Sequence, residues 1–157
     1  MKILAKFATP EWCDQYVDAL NQNEAYTKAA GPKGFPPNGW EGDYVFVIEP
    51  GGNVEETIYM WIGLWHGECK GAKIIEEDDF VHIKPGEESP EGKRGVEFIY
   101  SASYPVWEQI LDKELDSVKA LLSGKAKLKG DMAKILRATT TAKEMVNTAA
   151  QIDTQKW

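Results

Sequence analysis

Cysteine is scarce in this chain of 157 residues: Cys13 and Cys69 are its only two. Two thiols so far apart form no disulfide framework, so reduced thiols and a cytoplasmic setting are expected. Long hydrophobic runs are absent as well. The longest nearly apolar stretch, Ile58 to Trp65, is eight residues, against the roughly 20 that a membrane-spanning helix needs. Ile3-Leu4-Ala5 is cut short by Lys6, and no secretory signal is expected from so brief an apolar region. Gln155-Lys156-Trp157 is neither a peroxisomal nor a retention tripeptide. Histidine is limited to His66 and His82. The pair His66-x-x-Cys69 has no second close pair to complete a zinc site, so no metal is expected. Gly31-x-x-Gly34 and Gly51-Gly52 precede neither a strand-to-helix switch nor Lys-Ser/Thr, which removes the phosphate-loop and dinucleotide fingerprints; no cofactor is expected.

Aromatic residues, by contrast, are plentiful. Six Trp, six Tyr and five Phe within a composition that is 43% hydrophobic exclude intrinsic disorder and call for one sizeable core. Charge is unevenly spread beneath the net −7. Residues 1–112 hold nine Lys/Arg against twenty Asp/Glu, a net of −11, whereas residues 113–157 hold nine against five, a net of +4. The basic excess of Lys119, Lys125, Lys127, Lys129, Lys134, Arg137 and Lys143 includes one Arg and has no aromatic interleaved. Nucleic acid is therefore not an expected partner.

Periodicity supplies the element order. Thr9-Pro10 opens a helix as cap and first-turn proline, with Trp12, Tyr16, Val17 and Leu20 on one face. Glu24 to Ala30 is a second helix, stopped by Gly31-Pro32. Gly31 to Gly42 holds four glycines and three prolines and reads as a loop, with a lid as one role open to it. Strands are expected at Tyr44–Glu49, Glu55–Trp65, Ala72–Glu77, Phe80–Lys84 and Val96–Ala102, with Pro85 to Gly95 as a long hairpin loop. The second of these is apolar on both faces from Ile58 and should be covered on both sides. Val106, Trp107, Ile110 and Leu111 form a helical stripe, and Asp116 caps a short helix that Gly124 ends. Lys125 to Lys129 alternates lysine with apolar residues, the pattern of an edge strand or of a face for an anionic membrane. A long helix then runs from Asp131 to about Ile152, with a kink allowed at Thr139-Thr140-Thr141. The order predicts one α+β domain over residues 1–157, with N-terminal helices and loop (1–42), a main sheet (43–102), and helices with an edge strand (103–152). Its mostly antiparallel five-stranded sheet is covered by helices.

Catalytic residues are not expected. A Cys69 nucleophile would need His66 or His82 beside it and an orienting acid such as Asp78, and nothing in the spacing requires that. The small residues of the last helix, set over a sheet bearing large apolar side chains, either pack closely or leave a space. An empty space of about 300 Å³ would cost about 7 kcal/mol at about 24 cal/mol per Å³, so it must collapse, take water or hold a ligand. An acyl chain burying eight methylenes would recover about 6 kcal/mol.

The stretch from Trp107 to Met132 resembles the sterol carrier protein family. The residues that carry the resemblance are Trp107 leading a helix, Ser123-Gly124-Lys125 ending a short one, the alternating Lys127-Leu128-Lys129, and Gly130-Asp131-Met132 opening the last helix. The resemblance implies a sterol-carrier-like fold with an apolar tunnel that holds a fatty acid, fatty acyl ester or sterol-like lipid without chemistry. The expected lining residues are Phe46, Ile58, Met60, Ile62, Phe98, Met132, Ile135, Leu136 and Met145. A transient membrane contact through the basic C-terminal third is a further expectation. The alternative is a protein-interaction or accessory module using an apolar groove.

Overall fold

The computed structural model describes residues 4–157; Ile3, the first residue of the apolar triplet noted above, lies outside them. A short strand β1 (Ala5–Lys6) leads into α1 (Pro10–Gln22). The Thr9 hydroxyl donates to Lys6 O at 2.6 Å and accepts from Trp12 N at 3.4 Å, turning the chain and capping the helix together. Asn23 ends α1 and caps α2 (Glu24–Ala30), its side chain accepting from Tyr26 N. The main strands follow as β2 (Tyr44–Glu49), β3 (Ile58–Trp65) and β4 (Glu68–Ile75), then β5 (Phe80–His82), β6 (Arg94–Val96) and β7 (Phe98–Ser103). The C-terminal part comprises α3 (Tyr104–Leu111), α4 (Ser117–Leu122), β8 (Lys127–Lys129), α5 (Met132–Arg137), α6 (Thr139–Ala150) and β9 (Thr154–Gln155), which pairs in parallel with β1.

The five-stranded sheet has the order β4-β3-β2-β7-β8. β2 and β7 are parallel and the other three pairings antiparallel, with the lysine-bearing β8 at the edge. Helices cover one face. On the other, Val45, Val47, Ile75 and Val96 make a smaller core with Tyr59, Trp61, Phe80 and Ile99. The doubly apolar β3 is therefore covered on both sides where the β5–β6 ribbon reaches. α1 lies along β4 and is fixed to it by Asn21, whose amide donates to Cys69 O and accepts from Cys69 N. Among the described residues no helix is long and apolar enough to cross a membrane.

Several expectations are corrected by the structure. The third strand begins at Glu68, because His66 and Gly67 both take positive φ (54° and 91°) and close a two-residue hairpin that pairs Trp65 with Glu68. Gly67 has a second constraint, since a Cβ there would meet Thr27 O at 2.8 Å. The Phe80 strand stays out of the main sheet, pairing in parallel with β6, so the intervening segment is a crossover and not a hairpin loop. The strand expected at Val96–Ala102 is split at Glu97, where the chain bends out of one sheet and into the other. The long C-terminal helix is broken at Ala138 (φ −118°, ψ 35°), just before the three threonines. The buried face then follows Ile135, Ala138, Thr141, Met145, Thr148 and Ala149, leaving Leu136, Thr139 and Ala150 exposed. Residues 31–42 are loop and turn, as expected, and are anchored to the core at Trp40. Trp40 is buried against Tyr44, Phe98 and Phe35, and its indole donates to Gly42 O.

Candidate functional site

The sheet register determines where a space is left under the helices. Strand pairing aligns Met60, Phe46, Tyr100 and Leu128 in one row across β3, β2, β7 and β8. Alternation along each strand turns that row toward the helices. It is the floor of an apolar cavity of about 70 Å³. Phe7 and, from α1, Trp12 and Tyr16 make one side. Trp107, Ile110 and Leu111 of α3, Val118 and Leu121 of α4, Ile135 of α5, and Ala142, Met145, Val146 and Ala149 of α6 complete the wall. The ring of Trp107 lies 5.2 Å from both Phe46 and Tyr100, and its indole donates to Val47 O at 3.1 Å. That bond lets a large polar-tipped side chain sit buried with its N–H satisfied.

Two of the tyrosine hydroxyls on the wall are engaged by backbone carbonyls. Tyr16 OH donates to Met145 O at 3.0 Å, and Tyr100 OH donates to Ser117 O at 2.7 Å. Burial pushes both phenols well above the usual tyrosine range, so they stay neutral. Such a wall offers mainly dispersion contacts and exclusion of water.

Four of the nine residues named from sequence, Phe46, Met60, Ile135 and Met145, line the cavity. Ile62 and Phe98 belong to the next row across the sheet, paired through Tyr44, where Trp40 packs over Phe98 and closes the space. Ile58 lies one row the other way, paired with Ile48. Met132 is half-buried at the rim of the main core, and Leu136 points outward, 47% exposed, because the break at Ala138 resets the helical face. The lining residues that sequence reading left out include Tyr44, Tyr100 and Leu128. The alternation of Phe98-Tyr100-Ala102 and of Lys127-Leu128-Lys129 carried the signal for the last two.

Cys69 and His66 each have other partners. Cys69 Sγ contacts Gly71 O at 3.6 Å, and burial raises its thiol to about 11; Cys13 is pushed to about 12 by burial, with Asp14 adding to it. His66 pairs with Glu41 and stacks on Trp65. Among the described residues no group of three His, Cys, Asp or Glu side chains is placed to hold a metal ion. The basic segment holds one surprise: Lys134 turns inward, its side chain only 13% exposed. Its ammonium donates to Glu97 Oε1 at 2.8 Å and to Glu41 O at 2.6 Å, and lies 4.8 Å from the Trp40 ring centroid.

The architecture is thus an α+β domain with helices over one sheet face and an apolar cavity between them. Comparison with known structures makes this specific. A conserved protein of Thermus thermophilus, described as a possible sterol carrier protein, superposes with a TM-score of 0.73 at 26% identity, over 99% of this chain and 94% of that one. A crystal structure of sterol carrier protein 2 gives 0.72 at 26% identity, over 94% and 99%. A sterol carrier protein domain of Helicoverpa armigera gives 0.50 at 19% identity and shares the fold. No family model and no curated protein sequence matches the chain. The chain has the sterol carrier protein fold, and its resemblance to that family extends from the Trp107–Met132 stretch to nearly its whole length.

Proposed function

We propose that this protein binds and carries an apolar ligand, a fatty acid, fatty acyl ester or sterol-like lipid, between the sheet and the helices, without chemistry of its own. The observation that carries this is the floor row Met60-Phe46-Tyr100-Leu128 under a largely apolar roof of Trp107, Ile110, Leu121, Ile135, Met145 and Val146. The likeness to sterol carrier proteins supports it. A void of about 70 Å³ is under half of the roughly 150 Å³ that accommodates benzene in an engineered cavity, so a lipid chain enters only as the roof moves. The roof pieces suited to that are short: α4 and α5 have six residues each, and the helix break at Ala138 is a ready hinge between α5 and α6. Phe46, Met60, Ile135 and Met145 are then the ligand contacts foreseen from sequence, with Met132 and Leu136 joining only in an opened form.

Native mass spectrometry of the purified protein, lipid extraction, and displacement of a fluorescent fatty acid test this reading. A co-purifying lipid or saturable displacement supports it; neither, across chain lengths, refutes it. The cytoplasm is the proposed setting, with both cysteines free. A transient membrane contact is proposed for the segment 119–137, in which Leu122 and Leu136 are exposed on the same helices as Lys119 and Arg137, with the edge-strand lysines 127 and 129 between them in the chain. Vesicle association that weakens as salt rises supports that contact, and salt-independent association removes the lysines from it.

A further inference from the structure

A second cavity, of about 140 Å³, lies behind the first, and Phe7, Leu111 and Ala149 line both. The two thus share a wall made by these three side chains. Phe7 is fixed in it by edge contact with Trp12 at 4.9 Å, and Ala149 has no rotatable side chain. Leu111, half-buried at the end of α3, is the one member free to change rotamer.

The far wall of the second cavity is polar. Glu108 and Asp112 project from the end of α3, and Lys156 reaches them from the C-terminal tail, 3.8 Å from Glu108 and 3.1 Å from Asp112. Hydrogen bonds that hold the tail in place include Trp12 Nε1 to Thr154 Oγ1, Phe7 N to Gln155 O, Trp157 Nε1 to Phe7 O, Trp157 N to Tyr104 OH and Asn53 Nδ2 to Trp157 O. Asp112 keeps the Lys156 ammonium above its usual range. Two carboxylates against one ammonium leave this mouth with one net negative charge.

We propose, building on the carrier reading, that the two cavities are one channel gated by Leu111. The alkyl chain occupies the apolar part and the polar head lies at Glu108, Asp112 and Lys156. The charge of that mouth selects the ligand: a long-chain amphiphile with a neutral hydroxyl or a cationic head is taken over an ionised carboxylate. Within the classes named above, this favours hydroxyl-bearing lipids over free fatty acids.

The test is displacement of a fluorescent lipid by hexadecanol, hexadecylamine and palmitate, at pH 8 and low salt, with the full chain. One net like charge about 4 Å from the head at this water-exposed mouth makes palmitate about fivefold weaker than the alcohol, and the amine at least equals the alcohol. The double substitution Glu108→Gln, Asp112→Asn leaves Lys156 unopposed at the surface and reverses the order, palmitate becoming the tightest. Leu111→Trp blocks the passage, so hexadecanol is lost while octanol still competes. Equal affinities unchanged by the double substitution, or palmitate tightest in the native protein, overturn the head site and leave the carrier reading standing. No displacement by any of the probes overturns both.

Discussion

Replacing Ala142 by Leu should make the protein more stable and a poorer lipid binder at once. Ala142 lies on the α6 part of the wall, and the space it faces, about 70 Å³, costs roughly 1.7 kcal/mol when empty at about 24 cal/mol per Å³. Leucine adds three methylene-sized groups worth about 2.4 kcal/mol of transfer free energy at about 0.8 each. The void limits how much of that is realised, and crowding against Val146 and Met145 takes back part. A net gain of about 1 kcal/mol follows, which in a domain of this size raises Tm by about 2–4 °C. Helix propensity is nearly unaffected, since Leu stands close to Ala. Calorimetry of lipid-free protein measures the gain, and fluorescent fatty-acid displacement on the same sample measures the loss of affinity. A variant destabilised by about 1 kcal/mol or more that still binds lipid as tightly would refute the reasoning. It would mean that the space is not open at Ala142 and that the ligand lies elsewhere.

Other perturbations bear on the scaffold. Lys134→Ala strands the Glu97 carboxylate in a buried site and should cost about 3–5 kcal/mol in urea denaturation; Lys134→Met with Glu97→Leu should cost far less, because no charge is left behind. Gly67→Ala should cost more than about 1 kcal/mol, since φ is +91° and the new Cβ meets Thr27 O at 2.8 Å. The thiols make stability fall at high pH. Folding holds Cys69 near 11 and Cys13 near 12, above the ordinary value of 9.0, so above pH 9 the native state retains protons that the unfolded chain has released. Their contribution is complete below pH 9 and declines toward pH 11 to 12. Cys69→Ala should flatten that decline in pH-dependent urea titrations, and an unchanged profile would assign it to the tyrosines instead.

Much of the element order is legible because it is written locally. Thr9-Pro10, Asp116 and Asp131 each begin a helix through a side-chain oxygen that bonds a nearby backbone N–H, an interaction within three residues that needs no partner from afar. The edge position of Lys127-Leu128-Lys129 could likewise be read from its alternation. Pairing is another matter. The Phe80 strand looks like any short strand, and its parallel union with Arg94–Val96 depends on where Glu97 turns toward Lys134, 37 residues further along. The same separation hid the candidate site. Phe46 and Met60 are apolar residues at inward positions, and so are Phe98 and Ile62; only cross-strand register and the seating of Trp40 decide which pair faces a void.

By itself, then, the sequence determined the α+β composition, the helix starts, the edge strand and the family resemblance, all of which rest on short-range hydrogen bonding, periodicity or a contiguous motif. Tertiary structure alone decided the size and walls of the cavity, the inward course of Lys134, and the meeting of α3 with the C-terminal tail around Glu108, Asp112 and Lys156. These are long-range matters: a cavity is what close packing leaves unfilled, and its position follows from register and helix breaks that no local pattern encodes.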